Sequence, residues 1–177
     1  MNKIHGQFSG IVARYLILIA VSFPSLWIFY FVFTPLTVYP VFYLLGIFFD
    51  AILIKNVIII NNQVPIELIR ACIAGSAYYL LLVLNLSLPK IKIRQRIKMI
   101  VMSFAALLLV NILRIVLLSF IFLESFTIFI AAHQFLWYFM STIFVVAIWF
   151  SEVKFFKIKE IPFYSDLKFL HKHSFLN

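Results

Sequence analysis

Charge is what this sequence has least of. Of 177 residues only 12% are Asp, Glu, Lys or Arg, while 65% are hydrophobic and the mean hydropathy is +1.11. A soluble domain is about one-quarter charged and half apolar, so the composition excludes one. Cysteine is nearly absent as well. Cys72 stands alone, which rules out an internal disulfide and leaves packing, lipid attachment, an intermolecular link or nucleophilic chemistry. The acids number six, and only Asp50, Glu67 and Glu124 lie near apolar runs. The chain also has no internal repeat, no low-complexity linker and no polar domain bearing a basic, aromatic-interleaved patch. Its net charge of +9 therefore does not signal nucleic acid.

What the chain does have is long apolar runs. A hydrocarbon core about 30 Å thick needs roughly 20 apolar residues per helical crossing, so the length admits about four to six crossings with short loops. The runs predict an all-α polytopic bundle of about five transmembrane helices, over 11–33, 36–54, 68–88, 99–123 and 126–150. Pro24 should kink the first, and the stretch from Thr34 to Pro40 should separate it from the second. The segment 55–66 has a different pattern: Val57-Ile58-Ile59-Ile60, a polar Asn61-Asn62-Gln63, then Val64 and Ile66. It reads as a β-hairpin around a turn, and its unpaired edges must avoid lipid. Residues 1–150 thus form one bundle. Residues 151–177, with five lysines among Phe, Ile and Leu, read as a basic tail on an anionic membrane surface.

Orientation follows from the cations. Lys90, Lys92, Arg94, Arg96 and Lys98 fall between the third and fourth runs, and five more lysines follow the fifth. Together these hold ten of the fifteen Lys and Arg, a positive-inside signature. The C-terminus is then cytoplasmic, and the hairpin and Glu124 lie outside. Five full crossings would put the N-terminus outside, against Lys3 and Arg14. A re-entrant second run would put it inside. The sequence leaves both arrangements standing.

Three residues ill-suited to lipid fall in the outer half of the bundle: Cys72 near the start of the third run, Arg114 in the fourth and His133 in the fifth. Arg114 lies about 13 Å below the outer end of its helix, and His133 about 10 Å below its own. An arginine there costs about 2.5–3.5 kcal/mol on insertion scales and generally faces the bundle interior. Taken singly, Cys72 reads as a small hydrophobe and His133 as a satisfied polar residue. Together the three types fit nucleophilic acyl transfer: a thiol favoured as thiolate by a neighbouring cation, an imidazole to move the proton and a guanidinium for the oxyanion. Asn111, three residues before Arg114, and Ser76, four after Cys72, share helical faces with them. Gly75 would allow close approach of a backbone. Helix packing through small and polar residues is the competing reading for Gly75 and Ser76.

The ordered set Cys72-Ile73-Ala74-Gly75-Ser76, Asn111-Ile112-Leu113-Arg114 and His133 resembles the exosortase/archaeosortase family, over roughly 36–150. The stretch Ala71 to Tyr79 looks closest to the compact archaeal pacearchaeosortase branch. Where many exosortases read Cys-Ser-Gly, this chain reads Cys72-Ile73-Ala74 with Gly75 next, and it is shorter than eight-helix members. The resemblance implies a membrane-embedded cysteine protease or transpeptidase with Cys72, Arg114 and His133 catalytic, and it implies neither metal nor cofactor. The implied substrates are exported proteins with a C-terminal sorting signal, which would be transferred through a thioester to a lipid or other amine acceptor. A non-catalytic assembly subunit and a small transporter are the rival readings. The transporter reading lacks the additional intramembrane acids and the repeated broken-helix pair expected of one.

Overall fold

A computed structural model describes residues 2–23, 25–89 and 91–158, with side chains from residue 9 onward except 139–141. The basic tail expected over 151–177 is described only to Ile158, and its remainder lies outside the described residues, as do Pro24 and Lys90. The order is α1 (Asn2–Ser22), α2 (Trp27–Gly46), β1 (Ala51–Ile54), β2 (Val57–Ile60), β3 (Val64–Glu67), α3 (Arg70–Ile73), α4 (Gly75–Leu86), α5 (Ile93–Glu124), α6 (Phe126–Phe135), a π-helical turn (Leu136–Met140) and α7 (Ser141–Phe155).

The apolar runs are partitioned differently from the five expected helices. The break lies at residues 23–26, where Ser25 and Leu26 take left-handed φ of 51° and 59°. From there α2 runs unbroken through Pro35 and Pro40. Each proline removes one backbone donor, but a helix packed among other helices tolerates that loss better than one in water. The chain leaves the helix at Gly46, so the expected span 36–54 does not form, and its last residues become β1. Among the described residues, α2 and α5 are long and apolar enough to cross a bilayer. The α6–α7 pair is a third if taken as one span bent by 42°. The apolar parts of α1 and of α3–α4 are shorter.

The hairpin expected over 55–66 is one half of a three-stranded antiparallel sheet of order β1-β2-β3. β1 pairs with β2 from Ala51↔Ile60 to Ile54↔Val57, and β2 with β3 from Val57↔Glu67 to Ile60↔Val64. Asn61 and Asn62, at φ 51° and 55°, supply the two left-handed residues of a tight hairpin turn, and Gln63 N–H closes it on Ile60 C=O at 3.1 Å. Alternate side chains of β2, Ile58 and Ile60, are wholly buried against Val38, Val41, Leu45, Ile112 and Ile115. The sheet is therefore fastened to α2 and to the later half of α5.

A second apolar cluster holds the other half of the bundle. Phe29, Phe33, Tyr78, Leu81, Leu107 and Val145 come together there from α2, α4, α5 and α7. Phe33 stacks on Tyr78 with ring centroids 3.7 Å apart, and Phe104 meets both edge-on. At the far end from the sheet, two arginines hold the end of α4. Arg96 donates to the carbonyls of Asn85, Leu86 and Leu88 at 2.7–2.8 Å, and Arg14 to those of Leu86 and Leu88 at 3.0 Å. Carbonyls in the last turn of a helix lack intrahelical partners, so guanidinium donors there both satisfy them and suit the helix dipole.

Candidate active site

Cys72 sits on a single helical turn. Residues Arg70–Ile73 form α3, and Ala74 then takes a left-handed conformation (φ 59°, ψ 38°) before α4 begins. For a residue with a Cβ this geometry costs roughly 1–2 kcal/mol. The break leaves the Cys72 carbonyl without the amide an unbroken helix would offer it. Asn111 Nδ2 donates to that carbonyl at 2.8 Å, from a position only 3% exposed on α5. The Cys72 amide meanwhile donates to Ile69 C=O at 2.9 Å. Both main-chain groups of the cysteine are therefore tied, one of them across the bundle.

Cys72, Arg114 and His133 line one cavity of about 160 Å³. It lies between β3, α3, the later part of α5 and α6. Pro65, Ile66, Glu67 and Leu68 form one wall, and Ile115, Leu118, Ser119, Phe122 and Phe129 complete the lining. His133 stacks on Phe129 with centroids 5.4 Å apart and planes 15° from parallel, and Phe129 is held edge-on by Phe122 at 4.9 Å. The imidazole is thus oriented by an aromatic pair. Arg114 acts electrostatically on both the thiol and the imidazole, and Glu67 acts on the thiol.

The supporting residues divide. Asn111 touches the Cys72 backbone and, with Arg114, Ala74, Ala77, Leu107, Val110 and Phe144, lines a smaller neighbouring void. Ser76 and Gly75 do not line the main cavity. The face-sharing expected of Cys72 and Ser76 assumed a continuous helix, and the left-handed turn at Ala74 breaks it; Ser76 is exposed. Gly75 packs against α2. A Cβ there would stand 2.8 Å from Tyr30 Cζ, so its smallness serves a helix contact. Tyr30 in turn carries Arg70 over its ring at 5.4 Å.

Glu67, Ser119, Phe122 and Phe129 belong to the cavity and were not singled out from the sequence. A signal for two of them was present. From Ile115, the positions Leu118, Ser119 and Phe122 follow at helical intervals of three and four, so a face carrying Ile115 carries them too. Glu67 gave no such signal, because only the pairing of β3 brings it beside α5. Among the described residues, no group of three or more His, Cys, Asp or Glu is placed to hold a metal ion.

A second polar cluster lies toward the arginine-held end. Glu152 of α7 is fully buried, and its Oε2 accepts from Asn85 Nδ2 at 3.1 Å. Asn85 Nδ2 also reaches Leu81 C=O and Ser103 Oγ at 3.1 and 3.4 Å. This cluster joins α4, α5 and α7.

No protein-family model matches the chain, and no curated protein and no solved structure matches it.

Proposed function

We propose that this chain is a membrane-embedded cysteine peptidase or transpeptidase that acts on exported proteins at the outer face of the bilayer. The observation that carries this reading is the shared cavity of Cys72, Arg114 and His133, three residues from three segments far apart in sequence. The backbone at residue 74 adds support. It is left-handed, and it is the position at which the Cys-Ser-Gly of the resembling family carries the residue best suited to that geometry.

In this reading His133 takes the proton from the Cys72 thiol, and the thiolate adds to the scissile carbonyl carbon. The electron pair of the C=O moves onto oxygen, where Arg114 meets the new negative charge in a low-dielectric site. Collapse breaks the C–N bond, and His133 returns its proton to the departing amine, leaving a Cys72 thioester. An acceptor amine, on a lipid head group or another anchor, then attacks that thioester. It gives up a proton, forms the new amide and releases the thiol. Asn111 acts as a positioning residue through the Cys72 carbonyl.

The proposed placement in the bilayer follows from lengths. α5 has 32 residues, about 48 Å of helix at 1.5 Å per residue, against a hydrocarbon core of about 30 Å. Its basic start accounts for part of the excess, and the end beside the sheet for the rest. In this reading the cavity lies at the outer boundary, where a peptide and an acceptor can enter.

α1 runs antiparallel to α4, since Arg14 meets Leu86 and Leu88 while Leu18 C=O accepts from Tyr79. α2 then carries the chain on to the sheet. Together α1 and α2 make one broken crossing. With α3–α4, α5 and α6–α7 there are four, and both ends of the bundle are cytoplasmic. Lys3, Arg14, Lys92, Arg94, Arg96, Lys98, Lys154 and Lys157 then share the inner side, as the positive-inside rule requires.

The test is processing of an exported protein with a C-terminal apolar helix and basic end by Cys72→Ala, Arg114→Ala and His133→Ala. Each variant should lose processing by at least about a hundredfold. Full processing by all three would remove the proposal.

A further inference from the structure

β3 is an edge strand, and its residues Pro65, Ile66 and Glu67 line the cavity. It pairs with β2 on one side, and no strand among the described residues pairs with it on the other. The ladder fixes which groups the open edge presents. Leu68 N–H donates to Asn56 C=O at 2.9 Å, continuing the register in which Val57 faces Glu67. In an antiparallel ladder, hydrogen-bonded pairs alternate with non-bonded ones. The main-chain groups of Ile66 and Val64 therefore point to β2, while those of Pro65 and Glu67 point away from it. Proline is tolerated at such an outward position, where it removes no ladder bond. The edge thus offers Pro65 C=O, Glu67 N–H and Glu67 C=O.

Exposed strand edges invite pairing, and proteins commonly cover or disrupt them. They also cannot face hydrocarbon. Here Pro65, Ile66, Glu67 and Leu68 line the same cavity as Cys72, Arg114 and His133. We infer that an extended stretch of the exported polypeptide adds to β3 as a fourth strand, pairing with Pro65 and Glu67, and so carries its scissile carbonyl to Cys72. This rests on the acyl-transfer reading above.

Two features of the site favour a polypeptide as the occupant. The alternating acceptor and donor groups of the edge match another extended backbone, whatever its side chains. Two opposite charges also line the cavity, with the exposed Glu67 carboxylate on the edge strand and the half-buried Arg114 guanidinium on α5. A strand lying along the edge can meet both, with a basic side chain beside Glu67 and a main-chain carbonyl toward Arg114. Sequence selection would then come from a few side chains, and binding strength from main-chain bonds common to every substrate.

The experiment uses the full chain in lipid nanodiscs. The substrate is a synthetic fusion: a reporter domain, a seven-residue segment selected for cleavage from a randomised set, an apolar 20-residue helix and a Lys/Arg end. Glu67→Pro removes the outward amide and no bond to β2. Glu67→Gln removes only the charge. KM should rise about tenfold or more for Glu67→Pro and about threefold or less for Glu67→Gln. Should Glu67→Pro fail to fold, as judged by far-UV circular dichroism, the substrate side decides. N-methylation of single amides in the seven-residue segment should then impair cleavage at alternate positions only.

Cys72-dependent cleavage with unchanged KM in Glu67→Pro and no alternation on N-methylation would overturn strand addition and leave acyl transfer standing. If no fusion is cleaved in a Cys72-dependent way, both readings fall.

Discussion

Asn111 and Ala74 together hold the thiol where it is. Asn111 donates a cross-bundle hydrogen bond to the Cys72 carbonyl, and Ala74 supplies the left-handed residue that ends the turn carrying Cys72. Asn111→Ala leaves that carbonyl without its donor, at about 1–3 kcal/mol. Acylation should slow by roughly tenfold or more, measured as single-turnover cleavage by protein that still unfolds cooperatively. Ala74→Gly should leave thermal stability within about 1 kcal/mol of the parent, because relief of the left-handed strain offsets glycine's greater freedom in the unfolded chain. Ala74→Val should lose more than that, since a β-branched residue tolerates this conformation worst. Asn111 was legible in the sequence from its spacing to Arg114. The turn at Ala74 was not, because alanine is a good helix former and nothing local marks a left-handed residue there.

Between elements, the informative contacts are polar or tight. Gly75 lets α4 meet Tyr30 of α2. Gly75→Ala should therefore destabilise by about 1–3 kcal/mol through overpacking, without a defect in cleavage at permissive temperature. A role in substrate approach would produce the opposite pattern. Asn85 and Glu152 join α4 to α7 within the buried interior. Asn85→Leu strands a buried carboxyl and should cost about 2–3 kcal/mol. Glu152→Gln keeps an acceptor for Asn85 and should be close to neutral. The double replacement Asn85→Leu with Glu152→Leu should recover most of the loss, as a double-mutant cycle in thermal unfolding would show.

Element boundaries were only partly readable. The apolar runs showed that membrane-length helices exist, but not where they break. Pro35 and Pro40 look like stops and are helical, while β1 continues an apolar run broken only by Asp50 and is a strand. The β-branched stretch Val57 to Ile60 was legible as a strand by composition. Its pairing partner β1 had no local signal of comparable strength.

For the molecule as a whole, the proposed four-crossing arrangement predicts which residues lie on which side. In a Cys72→Ser background, Asn62→Cys should react with a membrane-impermeant maleimide on intact cells, while Gln7→Cys and Lys157→Cys should react only after permeabilisation. Labelling of Gln7→Cys from outside would instead support an odd number of crossings. The outer location proposed for the cavity rests on the cation asymmetry of the sequence, since both basic stretches flank the same end of the bundle. The wall contributed by β3 was not legible there, because it depends on a sheet whose strands meet only in three dimensions.

The claim beneath all of this is that Cys72 carries an acyl group during the reaction. An acid-quenched time course with the cleavable fusion, read by intact-protein mass spectrometry, tests it most directly. A transient gain equal to the mass of the fusion's N-terminal product, on Cys72 and removed by hydroxylamine, is the predicted result. Product that accumulates with no adduct at any time point, and at the same rate in Cys72→Ala, would contradict it.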